Sequence, residues 1–68
     1  MKKYYIHTSA QLNGRHEVHH EYCIDLPKED HRLYLGIFDS CRQAMKASQK
    51  YYPSVTGCKT CARDCRDQ

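Results

Sequence analysis

The pattern of apolar and polar positions predicts three strands and one helix. The segment KKYYIHTSAQL, residues 2 to 12, is rich in residues that favour strands, and the dipeptide Asn13-Gly14 that follows is a strong signal for a two-residue hairpin turn. Such a turn pairs the first strand with RHEVHH, residues 15 to 20, and places Thr8 opposite His19.

A third strand and the helix follow a polar loop around Pro27. In RLYLGIF, residues 32 to 38, the apolar residues Leu33, Leu35 and Ile37 alternate with polar or small ones, which predicts a strand with one buried face. Ser40 is a good N-cap, and Gln43 lies three residues later in a capping-box arrangement. We expect the helix to end near Tyr52, because Pro53 disfavours a helical residue before it. Its predicted core face carries Cys41, Ala44, Met45, Ser48 and Tyr52.

The remaining residues complete a small α+β domain that covers residues 1 to 68 as one unit. PSVTG, residues 53 to 57, reads as a loop, and CKTCARDCRDQ, residues 58 to 68, as a knuckle followed by a short C-terminal helix. The predicted fold is therefore a β-hairpin, a third antiparallel strand, one main helix and a short terminal helix.

The composition indicates that this fold needs a metal or a disulfide. Only 10 of the 68 residues are Leu, Ile, Val or Phe, and a chain of this length buries only about 60% of its unfolded surface. The net charge of +3 is too small to force expansion of the chain. Five cysteines are available to stabilise the core.

Cysteine usage and the absence of targeting signals favour a cytoplasmic location. A secreted disulfide scaffold has an even number of cysteines, whereas five leave at least one thiol unpaired. The start MKKYYIHT is basic, but no apolar signal-peptide core follows it, and no apolar run is long enough to span a membrane. We therefore expect a soluble monomer in a reducing compartment, with no membrane partner.

The pair Cys58 and Cys61, in GCKTC, is the strongest local signal for chemistry. Two thiolates at this spacing bind one metal ion, while backbone amides of the turn point at the sulfurs. A redox couple of the thioredoxin type would instead lie after a strand, at the start of a long helix. A tetrahedral site needs two more ligands, and residues 16 to 23 offer His16, His19, His20 and Cys23.

The order of these residues resembles the N-terminal zinc-binding domain of the Ada DNA alkylation-repair protein, a small bacterial metal-binding module. The similarity covers residues 18 to 61, about two-thirds of the chain: His19 and Cys23 at His-x3-Cys spacing, YLGIFDS, a helix, and the knuckle GCKTC. It implies one zinc ion held by His19, Cys23, Cys58 and Cys61. In that family a cysteine at the first ligand position accepts a methyl group from damaged DNA. The histidine at position 19 argues against this repair activity.

Two other residues are alternative ligands. His20 is the rival of His19, but residues 19 and 23 share a face of an extended strand and residue 20 does not. Cys65 lies four residues after Cys61, so a terminal helix would point it at the same site. Cys41 is predicted to be a small buried hydrophobe.

The predicted function is that of a zinc-stabilised module that binds nucleic acid or a protein. Four protein ligands favour a closed, structural site over a catalytic one, so we do not expect an enzyme. Contacts to nucleic acid are predicted at the basic and aromatic start of the chain, since rings stack on bases and ammonium groups meet phosphates. These contact residues are Lys2, Lys3, Tyr4 and Tyr5. The alternative is a thiol-reactive or redox protein that uses Cys58 and Cys61, stabilised by a disulfide when oxidised.

Overall fold

A computed structural model describes residues 1–65 as a four-stranded mixed sheet with one α-helix. The strands lie in the order β3-β1-β2-β4; β1 is antiparallel to β2 and β3, and β2 is parallel to β4. This confirms the small α+β fold. No helix within residues 1–65 has the length and apolarity needed to cross a membrane. The elements are β1 (Lys2–His7), β2 (His16–His20), β3 (Arg32–Phe38), α1 (Cys41–Ser48) and β4 (Val55–Gly57), with 3-10 turns at Glu29–His31 and Arg63–Cys65.

The first two strands form a hairpin, but its predicted register is wrong. His19 lies opposite Tyr5 rather than Thr8, and eight residues, 8 to 15, separate the strands. Gly14 does turn the chain, with a φ of 85°, inside this wider loop. The observed register places Ile6 opposite Val18, and both side chains are fully buried. Burial of this aliphatic pair therefore outweighs the preference of the turn sequence.

The segment predicted as a loop before the knuckle contains a fourth strand. Val55–Gly57 pairs in parallel with β2, and all three of its residues are buried. Three residues are too few to show a periodicity of two, so the sequence pattern carries no signal for this strand. β4 is the second strand that pairs with β2, and Cys58 follows directly after its last residue.

The helix is shorter than predicted, while its core face is confirmed. It ends at Ser48, after which the amides of Tyr51 and Tyr52 both donate to the Ser48 carbonyl. Ser40 is the N-cap residue, but its hydroxyl makes no capping bond; Gln43 Oε1 accepts from the amide of Asp39 instead, at 2.9 Å. Ala44 and Ser48 are buried, and the other three predicted core positions are partly buried against the sheet.

The alternation predicted for β3 breaks at Gly36. The pairing with β1 shifts between Tyr4 and Tyr5, and Gly36 adopts a φ of 129°, which a residue with a side chain rarely adopts. Beyond this bulge Ile37 is half exposed, whereas Phe38 packs on the core. The prediction that Ile37 is buried is therefore wrong. The fully buried apolar cluster on the helix side consists of Tyr4, Ile6, Val18, Ala44 and Val55.

A matched pair of substitutions tests this arrangement. We expect Ile6→Val to lower the free energy of unfolding by about 1 kcal/mol, because it removes a methyl group from a closed core position. The same change at the half-exposed Ile37 should alter it by less than about 0.5 kcal/mol. Urea unfolding of both variants measures the difference. Equal losses would contradict the placement of Ile37 on the open side of the bulge.

Candidate metal centre

The end of β2 supplies the first two side chains of the centre. His19 lies on the strand with only 1% of its surface exposed. The chain then turns, since the amide of Cys23 donates to the carbonyl of His20 at 3.1 Å. This turn brings Cys23 Sγ to 3.6 Å from His19 Nδ1. A turn, and not the extended strand assumed in the sequence argument, therefore juxtaposes the two residues.

The knuckle after β4 supplies the other two. The amide of Cys58 donates to the carbonyl of Val18 at 3.0 Å and so extends the pairing of β4 with β2. This places Cys58 Sγ 3.8 Å from Cys23 Sγ. Within the knuckle the amide of Thr60 donates to Cys58 Sγ at 3.3 Å, and the amide of Ala62 donates to the Cys58 carbonyl at 2.9 Å.

Gly57 is required because the chain folds back over it. A Cβ at this position would overlap the carbonyl oxygen of Ala62 and lie 3.0 Å from Cys65 Cβ. Distances this short between backbone and Cβ atoms do not occur without movement of the chain. The glycine before the knuckle thus lets the C-terminal turn sit directly on β4.

Together these elements form a group of four side chains that can hold a metal ion. One ligand atom from each residue lies within 4.8 Å of the others. His19, Cys23 and Cys58 are buried, while Cys61 is partly exposed. The structure thus brings together the four residues that the family resemblance implies.

Burial shifts the pKa values of three of these side chains, His19, Cys23 and Cys61, towards their uncharged forms. It raises the pKa of Cys23 and, more strongly, that of Cys61, where the hydrogen bond with Cys23 raises the pKa further. Burial also lowers the pKa of His19, although the carboxylate of Glu17 partly opposes this effect. A metal ion must therefore displace protons from the thiols, so that acid weakens its binding.

Glu17 occupies the position of an outer partner for His19. His19 Nε2 is buried and has no hydrogen-bond partner among residues 1–65, and Glu17 Oε1 is a nearby acceptor at 3.7 Å. Metal-bound histidines commonly direct their second ring nitrogen at a carboxylate, which fixes the tautomer and the orientation of the ring. With Nδ1 directed at the sulfurs, the geometry matches this arrangement.

The alternative ligands lie outside the group. His20 Nδ1 accepts a hydrogen bond from the amide of Tyr22 at 3.0 Å, and its ring meets the edge of Tyr4. Cys65 forms a disulfide with Cys41, which links the C-terminal turn to the start of α1. Cys41, predicted to be a small buried hydrophobe, is partly buried against the core and bonded to Cys65, and Cys65 is therefore not a ligand of the metal group. The Cys41–Cys65 disulfide was not predicted from the sequence, because the chain was expected to lie in a reducing compartment.

The residues predicted to contact nucleic acid are divided between the two faces of the sheet. Tyr4 packs in the core with 5% of its surface exposed, so its ring is not available for stacking on a base. Tyr5 instead pairs with Tyr34 on the open face, with ring centroids 5.5 Å apart, and Arg32 lies 4.7 Å above the Tyr5 ring. Lys2 and Lys3 are exposed. Cross-strand pairing across β1 and β3 adds Tyr34 and Arg32, which sequence reasoning missed.

Comparison with known proteins adds no relative: no protein-family model, curated protein or solved structure matches the chain significantly.

The pKa shifts predict a stability maximum for the metal-free chain between about pH 6.5 and about pH 9, the ordinary pKa values of histidine and cysteine. Below this window the unfolded chain gains protons that buried His19 and half-buried His20 resist, so stability falls with decreasing pH. Above it, unfolded thiols lose protons more readily than Cys23 and Cys61, so stability falls with increasing pH.

Urea unfolding in the presence of a chelator, from about pH 5 to about pH 10, measures both limbs. His19→Asn should flatten the acidic limb, whereas the control His31→Asn, at an exposed position, should leave it unchanged. An acidic limb that persists in His19→Asn at its full slope would contradict the assignment.

Proposed function

We propose that the chain is a zinc-stabilised binding module in which His19, Cys23, Cys58 and Cys61 hold one Zn²⁺. The distances between ligand atoms carry this proposal. Zn–S bonds of about 2.3 Å and Zn–N bonds of about 2.0 Å at tetrahedral angles require S···S and S···N separations of about 3.8 and about 3.6 Å. The separations from Cys23 Sγ are 3.8 Å to Cys58 Sγ and 3.6 Å to His19 Nδ1.

The donor set favours zinc in a structural role. Three thiolates and one imidazole form a Cys3His set, which is typical of closed tetrahedral zinc sites. Burial of three of the four ligands leaves little access for a substrate. Structural zinc supplies about 10–16 kcal/mol to the folding of small domains, which suits a chain with a core this small. The same ligand order is implied by the resemblance to the Ada-type domain.

Cobalt substitution tests the zinc site. We expect the chain with its Cys41–Cys65 disulfide intact and its three other cysteines reduced to bind one Co²⁺, with the absorption spectrum of a tetrahedral site with three thiolates, and Zn²⁺ to displace it. His19→Ala should lose this spectrum or weaken cobalt binding by at least about 100-fold, because it removes one of four ligands. The control His20→Ala should retain the spectrum.

The contradicting outcomes are equally specific. A spectrum typical of four thiolates would show that a fourth cysteine, and not His19, is the fourth ligand. If no cobalt binds, the proposal of a metal centre is wrong. Rapid alkylation of Cys61 with zinc bound would favour the alternative, a thiol-reactive protein, since Cys61 is the one ligand with partial exposure.

We further propose single-stranded nucleic acid as the partner, bound on the open face of the sheet. Helix α1 packs against the other face, where the fully buried apolar cluster lies. The open face combines the Tyr5–Tyr34 pair with cationic Lys3 and Arg32. Aromatic rings and guanidinium planes stack on unpaired bases, and the cations neutralise the phosphates.

Fluorescence anisotropy with a labelled single-stranded oligonucleotide tests this surface. We expect affinity to fall linearly with salt on logarithmic axes, by a slope of about −0.7 for each phosphate neutralised. Tyr34→Leu should weaken binding by about tenfold, since base stacking on a ring contributes about 1–3 kcal/mol. Tyr51→Leu is the matched control, because Tyr51 is similarly exposed but follows α1. Equal effects of both variants, or no dependence on salt, would favour a protein partner.

A further inference from the structure

A cleft of about 690 Å³ lies between the start of α1, the beginning of β1 and the cysteine knuckle. Its walls carry the cationic side chains of Lys2, Arg42 and Arg63. These three residues come from different segments of the chain and are brought together only by the fold. The cleft is on the helix side of the sheet, since it is also lined by the core residue Tyr4, whereas the stacking surface proposed above is on the opposite face.

Residues 1–65 do not neutralise the positive charge of the cleft. Within residues 1–65 none of the three cations forms an ion pair, and Asp64 is the one carboxylate of the lining. The described lining thus has three cations and one acid. A cleft walled by one sign of charge concentrates ligands of the opposite sign. The lining is therefore complementary to an anion.

Arg42 is unusual for its position. It lies in the first turn of α1, which contains no acidic residue. The start of a helix carries a partial positive charge, so acidic residues stabilise this turn and a cation opposes it. The hydroxyl of Ser40, also in the lining, makes no capping bond within the described part of the chain and can donate to a ligand. An anion bound in the cleft would offset the unfavourable interaction of Arg42 with the partial positive charge at the start of α1.

We propose that this cleft binds a phosphomonoester, with Lys2, Arg42 and Arg63 around the phosphate group. A phosphomonoester carries close to two negative charges at neutral pH, which suits an excess of two cations better than the single charge of a backbone phosphodiester does. The volume is in the range of pockets that hold a small organic ligand, so a nucleotide fits as well as free phosphate does. This site is separate from the proposed binding face and does not depend on it.

Isothermal titration calorimetry of the zinc-loaded full chain tests the proposal with adenosine 5′-monophosphate, inorganic phosphate and adenosine. We expect the two phosphates to bind and adenosine not to bind. Arg42→Gln and Arg63→Gln should each weaken phosphate binding by about tenfold or more, because each removes a charged hydrogen-bond donor. Lys46→Gln is the matched control: it removes the same charge from an exposed position of α1 outside the cleft. Unchanged cobalt spectra would show that the variants retain the metal centre.

Loss of affinity in Lys46→Gln equal to that in Arg42→Gln, or no saturable binding of either phosphate, would overturn the proposal. A comparison of oligonucleotides with a 5′-phosphate and with a 5′-hydroxyl identifies the molecule that carries the phosphomonoester. The ligand is the end of a nucleic-acid strand if the phosphorylated form binds more tightly and Arg42→Gln abolishes the difference. Equal binding of the two forms, with nucleotide binding intact, assigns the cleft to a free phosphomonoester. Tyr34→Leu should leave nucleotide binding unchanged, so failure of the sheet-face proposal is distinguishable from failure of this one.

Discussion

Parallel pairing between β2 and β4 is the constraint on which the metal centre depends. The ligands come from two segments that are far apart in the chain, residues 19 to 23 and residues 58 to 61. The backbone bond from the Cys58 amide to the Val18 carbonyl fixes the second segment beside the first. Because β4 has only three residues, it contributes few ladder bonds of its own. A metal ion bound by these four residues would therefore also hold β4 beside β2.

The two faces of the sheet differ in what packs on them. One face packs against α1 and buries Ile6, Val18 and Val55, whereas Leu12, Ile24 and Ile37 are exposed. The other face buries His19 near the end of β2, and it carries the Tyr5–Tyr34 pair with Arg32 stacked on it. At the end of the sheet, Cys23 and Cys58 form a second buried cluster with Ala62.

Local sequence patterns predict those elements in which apolar residues recur with a regular spacing over several residues. The core face of α1 follows from helical spacing. The combination of His19 with Cys23 was implied by the family resemblance, whereas the strand geometry expected between them is wrong, because the chain turns after His20. Features set by long-range contacts were not predictable in this way. The hairpin register depends on Ile6 meeting Val18, and β4 exists because β2 offers it a partner. Neither contact can be predicted from the residues that are close to it in the sequence.

The disulfide missed by sequence reasoning gives the metal a role in covalent chemistry. A chain with five thiols can oxidise to many incorrect pairs. Once three of the thiols are bound to a metal, Cys41 and Cys65 are the two that remain, and the fold already holds them together. Zinc would thus act as a protecting group, and the order of events matters: metal capture before oxidation gives one product, whereas oxidation before metal capture gives a mixture.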